Sequence, residues 1–209
     1  MTNPWLNIPA LDYEGPMGLP NVSQTSFLAQ IFKDSISKYD SSSFAYLGCA
    51  TGTGLEYIDA QSTNRLTAID INPEYLNILR IRYQSKIPCL EIMEADLNEY
   101  NESKAKYSLI FAALIFEYLT PKPLLQKITN WLEDTGVMVV VLQLHEQNTK
   151  KVSDTPYSSL ESLASFMNLL SEEDFKLMAN ESGMREIEGK QIILDSGKSF
   201  YIGAYERIL

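Results

Sequence analysis

The chain has 209 residues and a mass of 23.6 kDa, enough for one full domain with a sizeable core and marginal for two. Hydrophobic residues make up 45% and charged residues 21%, an ordinary balance for a soluble globular protein. A formal net charge of −10 argues against a broad basic surface for a nucleic-acid backbone, and Lys150-Lys151 is the only adjacent basic pair.

In chain order, Met1-Thr-Asn-Pro-Trp-Leu6 lacks the basic and apolar regions of a signal peptide. Residues 1–23 carry many Pro and Gly with little periodicity and are expected as an arm or cap. Residues 24–38 place Phe27, Leu28, Ile31, Phe32 and Ile36 on one helical face. A polar linker then leads to a strand at 44–48 and a helix around 53–61. Arg65–Asp70 reads as a second strand, and Pro73 suits the first turn of a helix to about 84. A third strand fits near 89–93, and the almost wholly apolar Tyr107–Ala113 is a fourth. Pro121 starts a helix to about Glu133, and Val137–Leu142 is a fifth strand. Apolar strands separated by helices predict a parallel sheet covered on both faces.

The alternation breaks after Gln143. Residues 145–156 are polar, a helix is expected at 157–170, and Ser171-Glu-Glu-Asp174 opens another to about Ser182 in the manner of a capping box. Runs at 185–194 and 199–206, joined around Asp195–Lys198, predict an antiparallel hairpin. The expected whole is a single domain over 1–209, with an arm and cap helix at 1–40 and a lid or insertion at 145–170. No run reaches the ~18–20 apolar residues of a membrane helix. Cys49 and Cys89 form neither a disulfide framework nor a zinc spacing and read as reduced, buried side chains. A cytoplasmic protein with no membrane, nucleic-acid or metal partner is expected.

The run Phe44-Ala-Tyr-Leu-Gly-Cys-Ala-Thr-Gly-Thr-Gly54 has the layout of a strand, a tight turn and a helix start. Glycine tolerates positive φ and lets a ligand approach the backbone, and N–H groups opening a helix carry partial positive charge. Asp70 follows Gly48 by 22 positions, where doubly wound folds place a carboxylate for ribose hydroxyls. Nicotinamide and flavin enzymes share this pair. Their fingerprint, however, is G-x-G-x-x-G/A. Counted from Gly48 its later places fall on Ala50 and Thr53, and counted from Gly52 the last falls on Tyr57, too large for close helix–strand contact.

With these motifs the chain resembles the class I S-adenosylmethionine-dependent methyltransferases. Gly48-Cys-Ala-Thr-Gly52 stands as the family's G-x-G-x-G, with Ala50 in the middle place. Ala68-Ile-Asp70-Ile-Asn-Pro73 is similar to the ribose-binding segment, Glu94-Ala-Asp96-Leu97 to the adenine-binding segment, and Tyr107–Ala113 to the fourth strand. The resemblance spans about residues 44 to 142. It implies an α/β, Rossmann-like doubly wound sheet, mostly parallel with a C-terminal antiparallel hairpin, that binds S-adenosyl-L-methionine. The implied cofactor contacts are Gly48, Cys49 and Ala50 at the methionine part, and Asp70 on both ribose hydroxyls. Ile71 is implied on the adenine face, Asp96 and the Leu97 N–H at the adenine edge, and the Ala112 carbonyl at the cofactor's amino group. Two departures stand out: Tyr46 occupies the place of an acid two residues before the first glycine, and Tyr107-Ser108 replaces the usual Phe-Asp.

The sulfonium is already an activated electrophile, so a base is needed only if the acceptor must lose a proton. Glu117, after the fourth strand, and His145, after the fifth, are the candidates, each weighed against a plain surface role. No Asn/Asp-Pro-Pro-Tyr/Phe follows the fourth strand, and no metal-ligand cluster is evident. With the acidic charge, these absences favour transfer to an oxygen or nitrogen of a small molecule and leave proteins open. Trp5 and Tyr13, with Tyr157, Phe166 and Met167, are candidate lid residues, Phe166 being the one best read as core packing. The rival readings are a nucleotide-dependent oxidoreductase and a non-catalytic cofactor-binding or regulatory protein.

Overall fold

The computed structural model describes residues 3–18, 23–102, 106–145 and 158–208. Helix α1 (Ala10–Met17) lies in the N-terminal arm, where no helix was expected, and is followed by α2 (Gln24–Lys38). Strands β1 (Ser43–Leu47) and β2 (Arg65–Asp70), helix α3 (Pro73–Tyr83), β3 (Leu90–Glu94) and β4 (Tyr107–Ala113) come next. The chain continues through α4 (Pro121–Trp131), β5 (Leu132–Gln143), a short α5 (Glu161–Phe166), α6 (Glu172–Glu181), β6 (Met184–Ile193) and β7 (Ser199–Arg207).

The described strands form a seven-stranded sheet in the order β3-β2-β1-β4-β5-β7-β6. Neighbours from β3 to β5 run parallel, and β7 is antiparallel to both β5 and β6. The expected mostly parallel sheet with a terminal hairpin is what forms. Because side chains alternate along a strand, β1 sends Phe44 and Tyr46 to one face and Ala45 and Leu47 to the other. The first face packs on Leu28, Ile31 and Phe32 of α2 and Leu76 and Leu79 of α3. The second packs on Leu124, Leu125, Ile128 and Trp131 of α4 and on Phe175 and Ala179 of α6. Every residue of β4 up to Ala112 is buried, as expected of a central strand covered on both sides.

Two local signals read correctly. Asn72 caps α3, its Oδ1 accepting the Glu74 N–H at 2.9 Å and the Tyr75 N–H at 3.3 Å, with Pro73 opening the helix. Ser171 caps α6, its Oγ accepting the Asp174 N–H at 3.0 Å. One did not. The helix expected at 53–61 is only a 3₁₀ turn, Leu55–Tyr57. Gly52 and Gly54 both sit at positive φ, +94° and +92°, which ends helical propagation before it starts. The α-helix anticipated to open beside the glycine turn therefore does not form. The helix expected at 157–170 reduces likewise to a 3₁₀ turn at Ser158–Leu160 and α5; Tyr157 lies outside the described residues.

Candidate active site

From β1 the chain passes outward to β2 and β3, then returns to β4 on the other side of β1. The carboxyl ends of β1 and β4 thus face a crevice at the point where the strand order reverses, where open α/β sheets bind ligands. A cavity opens there. The glycine turn forms its floor: Gly48 has φ +63° and Ala50 φ +45°, and both line the cavity. A Cβ placed on Gly48 would fall 2.2 Å from Ile115 Cγ2, so no larger residue fits unless the Ile115 side chain shifts.

Asp70 ties the end of β2 to this turn. Its Oδ2 accepts the Ala50 N–H at 2.9 Å, and its Oδ1 accepts the Asn72 N–H at 2.9 Å. Burial pushes the carboxyl pKa above the usual range, against the lowering pull of those backbone N–H groups. A carboxylate has about four lone-pair sites, so two donors leave capacity for hydroxyls of a ligand. Ile71, Asp96 and Leu97 line the same half of the cavity. Asp96 is held in a turn in which its Oδ1 accepts the Asn98 N–H at 2.8 Å.

The remaining implied contacts lie differently. Cys49 is fully buried in the core behind the turn, its N–H donating to the Ile69 carbonyl at 3.1 Å, and it does not line the cavity. Ala112 is also buried off the lining; its neighbour Ala113 reaches the cavity. Tyr46, in place of the expected acid, supports the glycine turn directly, donating from its hydroxyl to the Thr53 carbonyl at 3.1 Å. Burial raises the phenol pKa well above its ordinary value, so it is a neutral donor. Tyr46→Phe is expected to cost about 1 kcal/mol for the lost hydrogen bond and to lower the thermal midpoint by roughly 2–4 °C. Calorimetric melting checks this.

The N-terminal arm covers the cavity. Tyr13 stacks on Tyr75 with centroids 5.2 Å apart, and Trp5 meets Tyr118 edge-on at 5.0 Å. Asn72 Nδ2 donates to the Trp5 carbonyl at 2.8 Å, and the Tyr75 hydroxyl to the Ile8 carbonyl at 2.9 Å. Glu14 anchors the far end of α1, accepting from the Thr51 hydroxyl at 2.6 Å and from Arg82 Nη2 at 3.1 Å. Trp5, Tyr13, Leu160, Leu163 and Met167 line the cavity, while Phe166 is 38% exposed and serves neither as lid nor as core. The arm and α5 meet through Ile8, Leu160 and Leu163. Residue pattern flagged the aromatic arm; the pairing with α5 needed the fold.

Neither base candidate reaches the cavity. His145 is exposed and faces a separate groove with Asn168, Ser171 and Gln191. Glu117 is fully buried, not at the surface. Its Oε1 accepts the Gln143 N–H at 2.7 Å, and its Oε2 has no partner among the described residues. Burial pushes its pKa from 4.5 up to about 7. The folded chain then holds a proton that the unfolded chain releases, so this group's stability contribution is complete below 4.5 and lost as pH rises through about 7. Glu117→Gln keeps the acceptor for Gln143 and removes the titration. Wild type is expected to lose about 3 kcal/mol relative to that variant across the window, as read by denaturant unfolding at stepped pH. Among the described residues there is no cluster of metal-ligating side chains, and no helix is long and apolar enough to cross a membrane.

Residues 45–136 match the family model for the methyltransferase domain. No curated protein matches the chain. Among solved structures the chain is similar to the CcbJ methyltransferase from Streptomyces caelestis, at 14% identity and TM-score 0.70, covering 100% of this chain and 99% of that one. It is similar to the N-methyltransferase NodS from Bradyrhizobium japonicum WM9 in complex with S-adenosyl-L-homocysteine, at 16% identity and TM-score 0.67, covering 91% and 89%. It is also similar to the [4+2]-cyclase SpnF, at 9% identity and TM-score 0.68, covering 87% and 80%. The sheet order, the glycine turn and the matched segment define a Rossmann-like methyltransferase fold. The matched methyltransferase domain and the shared fold support a class I S-adenosylmethionine-dependent methyltransferase.

Proposed function

We propose that the protein transfers a methyl group from S-adenosyl-L-methionine to an oxygen or nitrogen of a small-molecule acceptor. The residues of the cavity fit that cofactor. Gly48 and Ala50 present bare backbone for the methionine part, and Asp70 has acceptor capacity for ribose hydroxyls. Ile71 and Leu97 form an apolar slot for adenine, with Asp96 at its edge for the amino group. When bound, the cofactor supplies an electrophilic methyl sulfonium.

The observation that carries the small-molecule reading is the cover over the cavity. Arm residues Trp5 and Tyr13 and the α5 residues Leu163 and Met167 line it together with the ends of β4 and β5. A site roofed this way holds a compact acceptor and excludes water, and it gives a nucleic-acid duplex no groove to enter. Neither base candidate, Glu117 nor His145, is among the described residues that line the cavity, which leaves alignment as the protein's main contribution. Glu117 acts on the site through Gln143, whose main chain it fixes and whose side chain lines the cavity. The same proposal takes 1–209 as one domain, with an arm and cap helix at 1–40 and a lid at 145–170, in the cytoplasm with Cys49 and Cys89 as free thiols.

A cell extract separated by size and supplied with methyl-labelled cofactor tests the reading. Label is expected in the small-molecule fraction. Label confined to protein or RNA would overturn the acceptor class, and none at all would favour a cofactor-binding protein without transfer.

A further inference from the structure

Among the described residues, four tyrosines line the cavity: Tyr13, Tyr46, Tyr75 and Tyr118. Two have their hydroxyls committed, Tyr46 to the Thr53 carbonyl and Tyr75 to the Ile8 carbonyl. The hydroxyls of Tyr13 and Tyr118 make no hydrogen bond among the described residues, and neither oxygen is sealed in the core. Both rings sit beside Trp5. The Trp5 ring meets Tyr118 at 5.0 Å and 87°, and Tyr13 at 6.1 Å and 77°, so the three stand as walls at near right angles. Tyr13 packs against the cluster of Ala10, Ala50 and Tyr75. Its neighbour Glu14 accepts from the Thr51 hydroxyl at 2.6 Å, which holds this wall over the glycine turn. Tyr118 comes from the segment after β4, its N–H donating to the Ile115 carbonyl at 3.0 Å. The aromatic corner thus spans the carboxyl ends of β1 and β4, above the turn assigned to the cofactor's methionine part.

The surroundings of this corner favour positive charge. Burial raises the pKa of both phenols, with Asp70, Cys49 and Glu14 adding to the rise at Tyr13, and Glu117 and Tyr13 at Tyr118. Both hydroxyls are therefore neutral, and each keeps lone pairs that can accept from an N–H. The groups that act on them are acidic. Aromatic faces attract a cation as well, most strongly where water is excluded. Lys198 also lines the cavity, from the turn before β7, where its Nζ donates to Gln143 Oε1 at 3.4 Å; it is not among the groups acting on either phenol.

We propose that the methyl acceptor is a basic amine, held in the corner of Trp5, Tyr13 and Tyr118 with its N–H groups on the two free hydroxyls. The inference rests on the methyl-transfer reading above and chooses nitrogen over oxygen for it. The lone pair of the neutral amine forms the new bond to the methyl carbon as the carbon–sulfur bond breaks. The electron pair of that bond stays on sulfur, so S-adenosylhomocysteine leaves uncharged at sulfur. The positive charge passes to nitrogen, which then releases a proton to water. Acidic groups and ring faces stabilise the nitrogen as that charge arrives. A hydroxyl acceptor sheds its proton during attack and ends neutral, so it gains nothing from a corner built to hold a cation.

The test titrates probes onto the protein saturated with S-adenosylhomocysteine, by ligand-observed NMR. Phenyltrimethylammonium against tert-butylbenzene reads the rings, since the two share a shape and differ in charge. A preference for the cation of roughly five- to thirtyfold is expected, and Trp5→Leu should lower it severalfold. Benzylammonium reads the hydroxyls. Tyr13→Phe and Tyr118→Phe, which keep both rings, should each weaken it by about three- to tenfold and leave phenyltrimethylammonium, which has no N–H, unchanged. Unchanged S-adenosylhomocysteine affinity in the phenylalanine variants shows that the fold is intact. Failure of wild type to bind S-adenosylhomocysteine would sink the underlying methyl-transfer reading. With that binding in place, the inference is overturned by equal affinity within the matched pair, by no binding of either cation, by a cation preference unmoved in Trp5→Leu, or by benzylammonium binding that ignores both phenylalanine substitutions.

Discussion

Asp70→Ala is expected to weaken S-adenosylhomocysteine binding by roughly a hundredfold and to destabilise the fold at the same time. The carboxylate braces two buried N–H groups, those of Ala50 and Asn72. Orphaning a buried donor costs about 1–3 kcal/mol, so a loss of roughly 2–5 kcal/mol is expected for the pair. The proposed ribose hydroxyl bonds are charge-assisted and add a further ~1.5–3 kcal/mol on the binding side. The two roles separate experimentally. Asp70→Asn keeps the side-chain shape and one oxygen acceptor, so it should recover much of the melting temperature while leaving affinity well below wild type. If Asp70 only braced the turn, affinity per folded molecule would survive both substitutions. Calorimetric titration alongside thermal melting distinguishes the cases.

Gly48→Ala should do comparable damage for a different reason. A non-glycine residue at φ +63° costs about 1–2 kcal/mol, and its Cβ would stand 2.2 Å from Ile115 Cγ2. Overpacking of that kind costs a further ~1–3 kcal/mol. A total of roughly 2–5 kcal/mol corresponds to a midpoint lowered by about 5–15 °C in a chain of this length. The cavity suffers too, because Ile115 lines it and must shift. Adding Ile115→Ala to Gly48→Ala removes the collision but not the backbone strain. The double variant should therefore melt above the sum of its two single effects, and simple additivity would show that the contact is not what limits the site.

Much of this was legible in the residues, and the exceptions have physical causes. The five parallel strands announce themselves because each is a short apolar run bounded by helices or turns. The hairpin at 184–207 shows through Gly197 and the polar turn before it. Gly48, Ala50, Asp70, Ile71, Asp96 and Leu97 do share one cavity, since a glycine turn and strand-end acids at this spacing meet in a doubly wound sheet. What the residues hid is non-local. Whether Glu117 lies inside or outside depends on how the segment after β4 folds under β5, and it lies inside, against Gln143. Lys198 reads as a hairpin-turn lysine; only the antiparallel placement of β7 beside β5 brings it to the cavity lining. Tyr46 looked like the loss of a supporting acid, yet its hydroxyl reaches the same turn from within. The missing helix at 53–61 follows from Gly52 and Gly54, whose positive φ no periodicity count reveals.

The cofactor assignment of the cavity at the ends of β1 and β4 is tested most directly by titrating the wild-type chain with S-adenosylhomocysteine in a calorimeter. One saturable site per chain is expected, with no competing heat from reduced nicotinamide cofactors. Absence of S-adenosylhomocysteine binding, or saturable binding of a nicotinamide cofactor in its place, would contradict the account.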